Sequence, residues 1–189
     1  RLLDQTSLPV KEQELVCADV NTLVDAIDRL VVRGAPALGV VGGFGVALAI
    51  VQAEREGWDD GRLRVEIARI RNARPTAVNL AWGVDQVIGF IDQGLSRVLE
   101  LAHEIAEQDE AANRQLSKLG ADWILEVTGK TRLRVLTHCN TGSLATSTWG
   151  TGLGIVRELH SRGAIEIVYV DETRPLLQGS RLTAWELSK

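Results

Sequence analysis

Methionine is absent from this chain, aromatic residues supply only 4% of it, and cysteines number two. Cys17 and Cys139 stand far apart and follow neither a disulfide framework nor a metal-ligand spacing. That excludes a stapled secreted domain and points to a reduced, cytoplasmic setting. Four prolines and 18 glycines in 189 residues fall well short of collagen-like or low-complexity usage. No charge of one sign dominates: 21 Lys and Arg against 25 Asp and Glu leave a formal net charge of -4. A nucleic-acid partner or an anionic membrane surface is therefore not expected. What is present, 45% hydrophobic and 24% charged residues, is the composition of an ordinary globular protein with room for one domain or two small ones. The lack of methionine, with Arg1 at the start, also leads to the expectation of a trimmed chain.

One long uncharged run stands out, Gly34 to Ala53 (GAPALGVVGGFGVALAIVQA). It approaches the ~20 apolar residues of a membrane span. Its five glycines and one proline, the flanking Arg33 and Glu54, and the missing aromatic belt favour a buried helix of a globular fold instead. Before it, Leu23, Val24, Ile27, Leu30 and Val31 mark a helical stripe over Asp19–Val32, with Asn21 and Thr22 as candidate caps. Gly61–Ala73 reads as a charged amphipathic helix broken by Arg74-Pro75, and Thr76–Gly89 as its successor. Leu95–Val127 is a long acidic amphipathic stretch, expected as two helices punctuated by Gly120.

At Thr128-Gly129-Lys130 the pattern changes. Leu133–Thr137 and Ile165–Val170 read as strands, joined by a helix over about Ala145–His160, and a further helix starts near Ser180. A strand-helix-strand unit implies parallel pairing. The expected fold is α/β, with a mainly helical N-terminal domain (1–128) and the start of a Rossmann-like parallel-sheet domain (129–189). Two parallel strands alone do not make a stable sheet, so the chain is expected to be truncated and to continue past Lys189.

Ligands of open parallel sheets bind beyond the carboxyl ends of the strands. Both strands here end in polar loops, His138-Cys139-Asn140-Thr141-Gly142 and Asp171–Gly179. Neighbouring strands lie about 4.8 Å apart, which would bring a thiol, a carboxylate, a guanidinium and an amide to one crevice. Cys139 admits two readings: a small hydrophobe closing a strand, or a thiol activated at the start of the following helix. Cys17 reads as structural. Arg33-Gly34-Ala35 before one helix and Arg74 before another could hold an anion through helix N–H groups and a cation. Gly150–Gly154 (GTGLG) departs from GxGxxG and falls inside the expected helix, so a dinucleotide site is not indicated. Trp58, Trp123 and Trp149 read as packing residues, His103 and His160 as solvated.

Five stretches resemble one family along essentially the whole chain: LLDQTSLP (Leu2–Pro9), RGAPALG (Arg33–Gly39), RPTAVNLAW (Arg74–Trp82), LTHCNTGSLAT (Leu136–Thr146) and DETRPLLQGSRLTAWEL (Asp171–Leu187). They are similar to the aldose-ketose isomerases of the methylthioribose-1-phosphate isomerase family, relatives of the regulatory subunits of translation initiation factor 2B. The resemblance implies isomerisation of 5-methylthioribose 1-phosphate in L-methionine salvage, without metal or cofactor, by a cytoplasmic homodimer acting on a small phosphorylated sugar. It implies that Arg33, Gly34, Ala35, Arg74 and Gln178 bind substrate and that Cys139 is catalytic. The family's acidic aspartate and an Asn-Lys pair would lie downstream, Asp171 not being that aspartate, so the chain as it stands is expected to be inactive. Leu176, Leu177 and Trp149 are candidate walls of a dry site. Ribose 1,5-bisphosphate or 5-deoxyribose 1-phosphate isomerisation, and a non-catalytic initiation-factor role, remain alternatives. HCNTG with its cysteine favours the enzyme.

Overall fold

A computed structural model describes all residues, Arg1–Lys189, in two compact units. The first comprises Arg1–Ser7 and Lys11–Glu107, the second Leu8–Val10 and Gln108–Lys189.

In the first unit, β1 (Leu2–Leu3) and β2 (Glu14–Leu15) pair antiparallel. Helix α1 spans Val20–Asp28 and buries Val20, Leu23, Ala26 and Ile27. Its cap is Asp19, not Asn21 or Thr22 as expected, because the Asp19 carboxylate accepts the backbone N–H of Thr22 at 2.8 Å. Helix α2, Ala35–Glu56, is the uncharged run; it packs against α1, α3 (Asp60–Asn72) and α4 (Val78–Ile88). Its length and hydropathy are those of a membrane span, yet 61% of that window is buried inside the fold. The core gathers Leu23, Ile27, Leu38, Val46, Ile67, Ile70, Leu80 and Val84, among others.

The crossing of α2 and α4 depends on missing side chains. A Cβ on Gly83 would lie 1.9 Å from the carbonyl oxygen of Gly39. Only two glycine faces let these backbones touch, and the contact falls about one turn into each helix.

Helix α5 runs unbroken from Leu95 to Thr128, beginning in the first unit and ending in the second. The expected break at Gly120 does not occur. Gly120 faces Ile155, whose side chain would lie 2.7 Å from an added Cβ. Its smallness serves packing, and one glycine costs a long helix only about 1 kcal/mol.

In the second unit, β3 (Leu133–His138) and β4 (Ile165–Asp171) pair in parallel, joined through α6 (Gly152–Ser161). The register runs Arg134↔Ile167 to His138↔Asp171, so both strands end level. Ala121, Leu133, Leu159 and Ala164 form the core here. Helix α6 is shorter than expected: a single 3-10 turn (Ser143–Ala145) and an irregular segment precede it, and Gly150 (φ 94°) lies outside it. After β4 a π-helical turn, Gly179–Thr183, leads into α7 (Ala184–Leu187). Trp123 is 63% exposed and is therefore not the packing residue expected. Cys17 packs against the first unit's core, where burial pushes its thiol pKa up.

Candidate functional site

Arg33 and Arg74 each precede a helix whose first turn has no side-chain cap. Gly34 (φ 101°) caps α2 and Ala77 caps α4, and neither offers a side-chain acceptor. Helix N–H groups left in this way carry partial positive charge. Because the two helices cross at Gly39 and Gly83, their N-termini lie within about 6–8 Å of one crossing point at 1.5 Å per residue. Arg33 and Arg74 are both half-buried. Arg33, Gly34 and Ala35 thus stand at the start of α2 and Arg74 stands four residues before α4, each next to N–H groups suited to an anion. A cavity of about 470 Å³ lined by other residues of this unit, among them Asp19, Trp58 and Glu66, has its cations engaged. Arg55 and Arg62 both face Glu56, at 3.1 and 3.9 Å.

In the second unit the level ends of β3 and β4 put His138 beside Asp171, their Nδ1 and Oδ2 being 3.9 Å apart. Cys139 follows at once, half-buried, with φ 63°. A non-glycine residue in this left-handed region costs about 1–2 kcal/mol. The expected activation by a helix N-terminus is corrected: the next α-helix begins only at Gly152. What surrounds Cys139 is a hydrogen-bonded loop. Its carbonyl accepts the Thr183 hydroxyl at 2.6 Å. Buried Asn140 donates its amide to Thr183 Oγ1 (3.1 Å) and to Glu186 Oε1 (2.8 Å). The buried Glu186 carboxylate also accepts the N–H and hydroxyl of Ser143, at 2.8 and 2.7 Å, and pairs with Arg157 at 3.2 Å. Gly142 lies flat on it, since a Cβ there would be 2.3 Å from both oxygens.

The loop after β4 is closed by Glu172. Its carboxylate accepts the backbone N–H of Thr173, Gly179 and Ser180 at 2.8, 2.9 and 3.1 Å. Hydrogen bonding from Ser180 first, then from the Thr173 backbone, lowers its pKa to about 2. Within this loop Gln178 is half-buried and its side-chain oxygen accepts the Thr173 hydroxyl. Leu176 and Leu177 are 38% and 40% exposed on the same loop. Trp149 is held at α5 instead, its indole N–H donating to Ser117 at 3.1 Å beneath the Arg114 guanidinium.

Sequence reasoning had selected the two strand-end loops but missed Thr183 and Glu186. Their sequence signal is a Thr and a Glu three apart in the largely apolar LTAWEL, inside the family-like stretch Asp171–Leu187.

A mainly helical unit followed by a parallel strand-helix-strand unit with polar strand ends is an α/β arrangement, a class whose ligands bind beyond the carboxyl ends of the strands. The chain belongs to the initiation factor 2 subunit family, whose model matches residues 31–189. It is 47% identical over 189 residues to a methylthioribose-1-phosphate isomerase of Anaeromyxobacter sp., covering 100% of this chain and 53% of that protein. Among solved structures, 5-methylthioribose 1-phosphate isomerase from Pyrococcus horikoshii superposes with a TM-score of 0.85 at 35% identity, over 98% of this chain and 53% of that one. The delta subunit of translation initiation factor eIF-2B from A. fulgidus gives a TM-score of 0.84 at 42% identity, over 99% and 56%. The chain spans about half the length of the curated relatives it matches.

Proposed function

We propose that the protein carrying this chain is an aldose-ketose isomerase that converts 5-methylthioribose 1-phosphate to 5-methylthioribulose 1-phosphate in L-methionine salvage, as a cytoplasmic homodimer. The observation that carries the reading is Cys139 directly after the level carboxyl end of the β3–β4 pair, whose other strand leads into the loop containing Gln178. The names of the relatives support it.

The chemistry assigns each group a task. The anomeric phosphate blocks spontaneous ring opening, so an acid must protonate the ring oxygen as the C1–O bond to the ring breaks. That acid is not among the residues assigned here. Arg33, Arg74 and the amides of Gly34 and Ala35 bind the phosphate. Gln178 holds the sugar by hydrogen bonds, and Cys139 stands at carbons 1 and 2. The hydrogen on carbon 2 then moves to carbon 1, either as a proton through an enediol with Cys139 as shuttle or as a hydride with Cys139 steadying the charge. Either way, carbon 2 is oxidised and carbon 1 reduced within one molecule, so no external electron donor enters.

The test is turnover by the purified protein of ribose 1-phosphates carrying methylthio, hydrogen or phosphate at carbon 5. The methylthio sugar should be converted fastest. Cys139→Ser should cut kcat by about 100-fold or more, the scale expected for losing an acid-base or charge-stabilising group. Turnover within a few-fold of wild type would remove Cys139 from the mechanism. A second reading, a non-catalytic regulatory subunit, draws on the eIF-2B delta-subunit likeness; absence of turnover on all three sugars would favour it.

A further inference from the structure

We propose that Thr183, backed by Asn140 and Glu186, is a positioning residue that aims the Cys139 thiol by holding this residue in left-handed backbone. The inference rests on the reading of Cys139 as the reacting group and deepens it.

A cysteine has no side-chain group able to stabilise its own left-handed conformation, as an asparagine or aspartate can. The restraint must therefore come from neighbours. Thr183 is wholly buried, and its hydroxyl donates to the Cys139 carbonyl at 2.6 Å. The lone pair left on that hydroxyl is taken by the Asn140 amide, whose second bond goes to Glu186 Oε1. Asn140 thus follows Cys139 directly and is itself fixed at both amide protons. The Glu186 carboxylate in turn anchors Ser143 through N–H and hydroxyl, and Arg157 balances its charge. From 139 to 143 the loop is tied down on the π-helical turn Gly179–Thr183 and on α7. Glycine at 142 is what lets the chain lie against the carboxylate.

A change of φ at residue 139 from 63° to the ordinary negative range swings the Cα–Cβ bond, and Sγ with it, relative to the end of β3. The hydroxyl of Thr183 is the contact that opposes this change. A support that merely held the fold together would not need to act on the carbonyl of the cysteine itself.

The experiment uses Thr183→Val, which keeps the side-chain shape and loses the hydroxyl, and Thr183→Ser, which keeps the hydroxyl. Both are made alongside Cys17→Ser, and the iodoacetamide rate is read at Cys139 itself by mass spectrometry of its peptide. Thr183→Val should change the second-order alkylation rate by about fivefold or more. It should lower kcat by about tenfold or more with KM within about twofold, as misaimed catalytic groups do. Thr183→Ser should bring both back to within about threefold of the parent. Glu186→Gln is the second variant should Thr183→Val fail to fold, and a change of about threefold in the alkylation rate is expected there. A folded Thr183→Val, or failing that Glu186→Gln, that alkylates at the parent rate overturns the proposal, as does failure of Thr183→Ser to rescue. If wild type turns over no sugar phosphate, the functional reading falls, while the alkylation arm still decides the positioning.

Discussion

Replacing Gly83 by Ala tests the crossing of α2 and α4 at the heart of the first unit. The added Cβ would lie 1.9 Å from Gly39 O, 2.7 Å from Gly39 C and 3.0 Å from Gly39 Cα. All three are backbone atoms, so no rotamer change relieves the clash. Restoring ordinary contact at about 3.4 Å needs α2 and α4 to part by about 1.5 Å, enough to forfeit much of the dispersion attraction between facing side chains. Leu80 and Val84 on α4 and Leu38 and Val46 on α2 are all at most 2% exposed and would lose contacts together. Overpacking of this kind costs about 1–3 kcal/mol or more, against a helix-propensity gain of about 1 kcal/mol for alanine. The backbone nature of the clash puts the cost at the upper end of that range and the net loss at about 2 kcal/mol. Gly89→Ala is the control, since nothing lies within 4 Å of its Cβ and its φ of -67° suits any residue. It should be neutral or stabilise by up to about 1 kcal/mol. Urea denaturation gives both values from midpoint shifts at constant slope. Wild-type stability for Gly83→Ala would refute the crossing.

Other outcomes follow from the same structure. Arg33→Ala and Arg74→Ala should each raise KM for the sugar phosphate by about tenfold or more, a charge-assisted bond being worth about 1.5–3 kcal/mol; unchanged KM would refute the phosphate role. Glu172 has a folded pKa near 2, below its ordinary value of 4.5. It therefore stabilises fully above about pH 4.5, and that contribution is lost as pH falls through about 2. Glu172→Gln should shallow the acid limb of a stability-pH curve, and an unchanged limb would show that the carboxylate does not close its loop. Asp4 behaves alike: burial raises its pKa, but hydrogen bonds from Thr6, Gln13 and Ser7 outweigh this and bring it to about 2. Asp4→Asn should also shallow the limb, measured by urea midpoints between pH 2 and 5.

The helical half was open to sequence reading because α2, α3 and α4 carry their own signals: an uncharged run, a charged stripe, and a Pro-led restart. Where reading failed, the deciding partner lay far along the chain. Gly120 reads as a breaker until Ile155, 35 positions away, is seen to need the space. Residues 145–151 read as the start of a helix because they are small. In the fold their backbone turns to distant partners instead, as in the Ser147 N–H bond to Asp109 Oδ2 across 38 positions. The strand-end loops could be chosen from order alone, since parallel strands bring their carboxyl ends level. The Thr183–Asn140–Glu186 relay could not, because a buried polar chain leaves no periodicity.

The apolar length of α2 has a consequence during synthesis. Its 22 residues, about 33 Å of helix, emerge before the 21 residues 57–77 and only then the α4 face that covers it. In that interval a nascent chain displays a greasy rod with the hydropathy of a bilayer anchor. Slow arrival of Leu80 and Val84 would leave it open to chaperones, to stray membrane contact or to self-association. Codon choice across 57–84 is therefore expected to govern soluble yield more than that of an equally long stretch inside α5.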